Sequence, residues 1–258
     1  MVRPQRTERP PVDSYPILIA IAGAYLLAGF VKGVIGLGLP TVAIGLLGLV
    51  MSPAQAAAIL IVPSMVTNVW QMLAGGGLLA LTRRLWPMLL GICIGTYIGA
   101  VLLPHSNGGQ ATIWLGVALI VYAVLGLCNV HFAVRPRDEV WLGLLVGVAT
   151  GAVTVATGVF ALPGTPYVQA LQMERDRMVQ ALGLAFTVST VTLAMALSHA
   201  GEMNMSLIVP SLVGLAVAVA GMGLGQLVRG VIKPQTFRLF FFLGLLALGG
   251  HLALRGLL

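Results

Sequence analysis

Acidic residues are scarce in this chain of 258 residues. It has 7 Asp and Glu residues against 14 Lys and Arg, and all charged residues together make up 8%. The carboxylates lie in tails or loops and none lies within an apolar segment: Glu8, Asp13, Asp138, Glu139, Glu174, Asp176 and Glu202. Proton relays and cation sites in membranes use acidic or histidine side chains inside the bundle. The sequence therefore disfavours a cation substrate and offers no intramembrane proton relay.

Cysteine is equally scarce, and the two present, Cys93 and Cys128, lie in apolar segments. This excludes a disulfide framework and a cysteine metal site. No Walker loop or nucleophile elbow occurs, and the glycines at 33, 36 and 38 have no βαβ context that would make them a dinucleotide motif. We therefore expect no enzyme activity, no metal and no cofactor.

The low charge contrasts with a hydrophobic content of 59%, whereas soluble domains carry about 25% charged residues. We predict an all-α, polytopic membrane helical bundle with the lipid bilayer as a partner. The net charge of +7 is scattered over loops rather than gathered on one face, so we expect no nucleic-acid partner. Nearly charge-free segments cover 17–30, 56–73, 85–103, 113–130, 178–197, 207–228 and 239–254.

Two apolar stretches, 16–50 and 141–171, are interrupted by glycine, proline and threonine. As single helices of about 31 to 35 residues they would reach roughly 47 to 52 Å, against a hydrocarbon core of about 30 Å. One helix is too long for the membrane, and two full-length helices barely fit. Broken helices at matching places in two halves are typical of a transporter binding site.

The two halves align with each other. Residues 29–33 match 147–151, residues 51–60 match 173–182, and Pro87 matches Pro210. We therefore predict two repeats, each a broken-helix hairpin followed by three transmembrane helices. They span 16–131 and 140–258, and a disordered tail covers 1–15.

The basic residues predict the orientation of the repeats, because cytoplasmic loops carry an excess of Lys and Arg. Loops at 83–84, 135–137, 175–177 and 229–233 are basic, whereas those around 52–54, 105–110 and 199–205 lack Lys and Arg. Corresponding loops then fall on opposite sides, which makes the repeat inverted, and the second broken segment must enter and return to the cytoplasm. Both termini would be outside, but Arg3, Arg6 and Arg9 favour an inside N-terminus, so its side stays open.

Lys32 is the only charged residue well inside an early apolar stretch. A buried ammonium is costly and should face a cavity or a partner. Unwound glycines and the N-termini of half-helices nearby would add backbone N–H donors, and this combination suits an anion. The alternative is that Lys32 reaches out to the cytoplasmic interface from a helix end.

Polar side chains recur at helical spacing in the middle of each half. Ser64, Thr67, Asn68 and Gln71 form one stripe, and the matching helix carries Thr187, Ser189 and Thr190. Such a stripe lines a pore or bonds to neighbouring helices. Thr150, Thr154 and Thr157 could equally bond to freed backbone or to oxyanion oxygens.

The glycine-rich run from Gly29 to Pro40, a helix opening near Pro53, and a second copy from Gly147 resemble the TauE/SafE family, also called the TSUP sulfite exporter family. The resemblance covers nearly the whole chain after the tail. The second copy departs from the family pattern with Thr154 and Pro163. The resemblance implies a multi-pass transporter of the bacterial inner membrane that carries sulfite, sulfoacetate or related organosulfonates.

We therefore predict a secondary transporter that exports a small sulfur-containing oxyanion by alternating access, one half rocking against the other. The site is expected near the midplane, where the two broken segments would meet. The alternatives are a transporter or exchanger of another small organic anion, such as a carboxylate, and a membrane assembly factor. Substrate, direction, coupling ion and homo-oligomer formation stay open. The predicted substrate-binding residues are Lys32, Gly33, Gly36, Gly38, Thr41, Asn68, Gln71, Gly151, Thr154, Gly158 and Thr190.

Overall fold

A computed structural model describes residues 15–102, 108–128, 133–231 and 233–257. Except for Tyr15, the predicted tail lies outside the described residues, as do His105 and His131. The described residues contain helices and no strand. The helices are α1 Tyr15–Ile35, α2 Leu39–Leu47, α3 Pro53–Leu73, α4 Leu78–Leu102, α5 Gly108–Leu127, α6 Glu139–Thr157, α7 Gly164–Ala170, α8 Arg175–His199, α9 Ile208–Val228 and α10 Pro234–Leu257.

Eight of the described helices are long and apolar enough to cross a membrane, and α2 and α7 are the two short ones. The predicted all-α polytopic bundle is confirmed. The order of one long, one short and three long helices occurs twice, in α1–α5 and again in α6–α10. The inverted relation between the two sets stays a prediction.

The predicted interruptions lie at glycines with left-handed backbone. Gly36 and Gly38, with φ of 81° and 100°, separate α1 from α2, and Gly158, with φ of 73°, ends α6. Only glycine adopts this conformation without a steric penalty. The interruptions are shorter than the sequence indicates, because Gly33 and Gly151 lie inside the regular helices α1 and α6.

The second broken segment returns to the end at which it starts. The backbone N–H of Val134, ahead of α6, donates to the carbonyl of Ala170 at the end of α7 over 3.1 Å. The Tyr167 hydroxyl donates to the carbonyl of Glu139 over 2.8 Å, and Arg84 of α4 forms an ion pair with the same Glu139 at 2.6 Å. The α6–α7 hairpin is therefore re-entrant.

The closest helix packing joins the two halves rather than the helices within each half. The most extensive pairs are α4 with α6, α1 with α9, α5 with α10, and α3 with α8. Glycines allow this: a Cβ on Gly95 would overlap the carbonyl oxygen of Val148, and a Cβ on Gly29 would overlap that of Ala218. The halves interleave, which argues against their rocking as two separate bodies.

Candidate functional site

The side chain of Lys32 is buried in the bundle, not extended to the membrane surface. It is 4% exposed, and its Nζ lies 2.5 Å from Asn68 Oδ1 and 3.1 Å from Thr67 Oγ1 on α3. The alternative in which Lys32 reaches the cytoplasmic interface is therefore wrong. The helix stripe predicted from the spacing of polar residues supplies both of its hydrogen-bond partners.

No carboxylate among the described residues neutralises this ammonium. The two ion pairs in the described part of the chain are Arg84 with Glu139 and Arg137 with Asp138. Buried charges in proteins are normally paired, since removing an ion from water costs several kcal/mol. A buried cation that only neutral groups contact is complemented best by an anionic ligand.

Gln71, one turn further along α3, ties the first break to two other helices. Its Nε2 donates to the carbonyl of Gly36 over 3.0 Å and to that of Val179 on α8 over 2.8 Å. The bonds of Lys32 to Thr67 and Asn68 and the bond of Gln71 to Gly36 therefore connect the end of α1 to α3 through side chains. We call Lys32, Ser64, Thr67, Asn68 and Gln71 the lysine cluster.

Several polar atoms in and beside the lysine cluster are buried and have no hydrogen-bond partner in the described structure. They are Ser64 Oγ, Asn68 Nδ2, Gln71 Oε1 and, on α8, Ser189 Oγ. Buried polar groups are almost always satisfied, so such atoms indicate a site for water or a ligand. Tyr25 and Thr165 carry the other two unpaired atoms, outside this cluster.

The predicted threonines of the second half are instead satisfied by their own helices. Thr154 Oγ1 donates to the carbonyl of Thr150, and Thr190 Oγ1 donates to that of Phe186, both over 2.7 Å. Thr157 Oγ1 accepts from the freed backbone N–H of Val159 over 3.1 Å. The hydroxyls of Thr154 and Thr190 are therefore satisfied within α6 and α8, and that of Thr157 caps the second break.

The two breaks do not meet at the midplane. Gly36 contacts Gln71 near the end of α3, whereas a Cβ on Gly158 would lie 3.3 Å from Ala57 near its start. These two α3 residues are fourteen positions apart, which corresponds to about 21 Å along a helix. The predicted site therefore does not form one cluster, because Gly36 lies with the lysine cluster and Gly158 lies near the opposite end of α3. We call Thr154, Gly158 and Thr190, which all belong to the second half, the second group.

The remaining predicted residues lie at helix contacts or inside α2. Gly33 faces Met222 and Gly225 of α9, and Gly151 faces the backbone of α4. Gly38 precedes α2 and its Cα faces Val31 and Phe241, while Thr41 is buried within α2. The predicted set also omits Ser64 and Thr67, although both belong to the stripe that contains Asn68.

Clefts at the two ends of the bundle differ in charge. At the end with the basic loops, a cavity of about 250 Å³ is lined by Arg175 and Arg238, and one of about 190 Å³ by Arg84 and Arg177. At the other end, a cavity of about 210 Å³ is lined mainly by alanine and leucine, together with Glu202. A further cleft there contains Arg255, which donates a hydrogen bond to the carbonyl of Leu49.

A comparison with models of protein families gives a match. The family model described as Sulfite exporter TauE/SafE matches residues 21–252, which include the lysine cluster, both breaks and the second group. No curated protein and no solved structure matches the chain.

Proposed function

The chain belongs to the sulfite exporter TauE/SafE family, and we propose that it exports a small sulfur-containing oxyanion, sulfite or an organosulfonate such as sulfoacetate, across the bacterial inner membrane. The observation that carries the proposal is the buried amino group of Lys32, which contacts neutral side chains and has no carboxylate partner among the described residues. Family membership supports a membrane transporter of sulfur anions. The lysine cluster supports an anion as the species bound.

The donors of the lysine cluster fit a tetrahedral or pyramidal oxyanion. Lys32 carries three N–H donors, of which two contact Thr67 and Asn68, and the Asn68 amide and Ser64 hydroxyl are unused. Charge-assisted hydrogen bonds to oxyanions are about twice as strong as neutral ones. A bound anion would accept hydrogen bonds from the Lys32 ammonium and from the free donors of Asn68 and Ser64.

The arginine-lined clefts support entry from the end with the basic loops, which the positive-inside rule assigns to the cytoplasm. Clefts of one charge sign concentrate ligands of the opposite sign. At the other end, one cleft has Glu202 at its lining and another contains Arg255. The two clefts at the basic end contain four arginines against this one, and the difference supports export rather than import.

In alternating access, the moving units would be helix pairs that combine one helix from each half, rather than the two sequence halves themselves. Exchanging each helix with its counterpart turns the α1–α9 pair into the α6–α4 pair, and both pairs pack through glycine. This exchange supports the inverted repeat. We expect each pair to move as a unit, with the α3–α8 seam between them opening first to one end and then to the other.

Electrogenic efflux from proteoliposomes tests the proposal. Moving one negative charge out of a negative interior is favourable by roughly 2.3 kcal/mol per 100 mV. At 100 mV this sustains a ratio of outside to inside anion concentration of about 50. Purified protein reconstituted in vesicles loaded with sulfite should release it faster as the interior is clamped more negative. Release that ignores the potential would contradict electrogenic export.

A ligand panel separates sulfur oxyanions from other small anions. Binding to the folded state raises the melting temperature by mass action. We expect sulfite or sulfoacetate to stabilise the purified protein at lower concentration than acetate or malonate. Greater stabilisation by the carboxylates would instead identify a carboxylate transporter.

A further inference from the structure

One of the unpaired atoms in the lysine cluster is an acceptor rather than a donor. Gln71 is 7% exposed, and its Oε1 has no hydrogen-bond partner in the described structure. The orientation of the amide is fixed by its surroundings, because Nε2 faces the carbonyls of Gly36 and Val179. The reversed amide would place Oε1 against two other acceptors. The free acceptor is therefore a consequence of the packing of three helices.

The residue that carries this acceptor lies on the same face of α3 as the two partners of Lys32. Gln71 follows Asn68 by three positions and Thr67 by four, and both of these residues contact Lys32 Nζ. Side chains with this spacing are neighbours on one face of a helix, with Cβ atoms about 5 to 6 Å apart. The lysine cluster thus combines the Lys32 amine, an unused amide donor on Asn68 and an unused acceptor on Gln71.

We propose that the lysine cluster selects an oxyanion that also carries an O–H group. This proposal rests on the proposed function and narrows its substrate class. The anionic oxygens would face Lys32 Nζ and Asn68 Nδ2, and the O–H would donate to Gln71 Oε1. Hydroxylated sulfonates and singly protonated oxyanions have this pattern, whereas simple alkyl sulfonates and fully deprotonated dianions leave the acceptor unmet. A buried acceptor without a donor disfavours a ligand that cannot supply one.

Two sulfonates that differ by one hydroxyl provide the probe. Ethanesulfonate lacks the donor and 2-hydroxyethanesulfonate carries it. We expect the apparent Kd of the purified full chain, taken from ligand-dependent melting temperatures, to be about tenfold lower for the hydroxylated compound. In Gln71→Met, which has no acceptor, the two values should become equal.

Gln180→Met is the matched control. Gln180 is also buried, and its Nε2 donates to the carbonyls of Met72 and Gly75 over 2.9 and 3.1 Å. Its Oε1 is not among the buried unpaired atoms of the described structure. The variant therefore removes a similar bridging amide without removing the acceptor, and the tenfold preference should persist.

Equal affinity of the wild-type chain for the two sulfonates would overturn the proposal, and so would a preference that survives in Gln71→Met. If Gln71→Met does not fold, the comparison in the wild-type chain alone decides. Stabilisation by sulfite without any hydroxyl preference would refute this inference and leave the anion site in place. If sulfite and both sulfonates fail to stabilise the protein, the proposed function and this inference fall together.

Discussion

The two broken segments, α1–α2 and α6–α7, share their construction and differ in their chemistry. The α1–α2 hairpin breaks at Gly36 and Gly38, and the α6–α7 hairpin breaks at Gly158, each with positive φ. The first helix of each packs through glycine against a helix of the other half. Yet the first hairpin places the ammonium of Lys32 against α3, whereas the second has Thr154 bonded to its own helix.

This difference separates what the fold requires from what a ligand requires. Glycine contacts and glycine breaks occur in both halves, so they belong to the architecture of the bundle. The buried cation and three of the four unpaired atoms around the seam belong to the first half alone. We therefore expect substitutions of the glycines that occur in both halves to affect stability. Substitutions of the polar residues found in the first half alone should affect transport.

We expect the largest effect, a loss of folding, at the glycines through which helices of the two halves pack. Gly29→Leu would drive a side chain into the backbone of α9 at Ala218, and overpacking of this kind costs about 1–3 kcal/mol or more. We expect loss of monodisperse protein on size-exclusion chromatography. Gly23→Leu, on the same helix with no atom within 4 Å of the added Cβ, is the control and should remain folded. Equal behaviour of the two variants would contradict the packing account.

Substitution of Lys32, which has no charged counterpart in the second half, should have the next largest effect, on transport and not on folding. Lys32→Met keeps the length of the side chain and removes its charge. Charged hydrogen bonds contribute about 1.5–3 kcal/mol, so we expect sulfite flux in proteoliposomes to fall about 10- to 100-fold. The melting temperature should stay the same or rise, because an unpaired buried ammonium is costly. A melting temperature that falls steeply while flux persists would assign Lys32 a structural role.

The two breaks should differ in their tolerance of alanine. Both glycines have positive φ, which costs an L-residue on the order of 1 kcal/mol. A Cβ on Gly158 would also overlap Ile44 Cδ1, whereas on Gly36 the nearest atom is Val179 Cγ2 at 3.5 Å. Gly158→Ala should therefore lower the midpoint of thermal unfolding more than Gly36→Ala. The reverse order would show that the first break is the more constrained one.

The hydroxyls of the second half should have the smallest effect. In Thr154→Val the lost hydrogen bond is one to the carbonyl of Thr150 in the same helix, worth about 0.5–1.5 kcal/mol. We expect sulfite flux to fall less than tenfold. A loss as large as that in Lys32→Met would show that the second half contributes equally to the ligand site.

Much of the fold could be predicted from residue composition and spacing. Low charge predicts the membrane helices, and clustered glycines predict the interruptions near Gly36 and Gly158. Gly33 and Gly151 could not be separated from these, because a glycine that breaks a helix and one that lets a neighbouring backbone approach look the same in a sequence. Only the contacts with α9 and α4 distinguish them.

The candidate site was predicted in part. The isolated charge of Lys32 and the helical spacing of Asn68 and Gln71 both indicated the lysine cluster. The distance between the two breaks could not be foreseen, since it depends on which part of α3 each one contacts. The arginine-lined clefts likewise bring together residues from distant loops, such as Arg175 and Arg238.

Direct calorimetric titration of sulfite into the purified protein tests the central claim that Lys32 forms the anion site. The account predicts saturable binding of one sulfite per chain in the wild-type protein and in Gly23→Leu, and no measurable binding in folded Lys32→Met. Sulfite binding by Lys32→Met with wild-type affinity would contradict it.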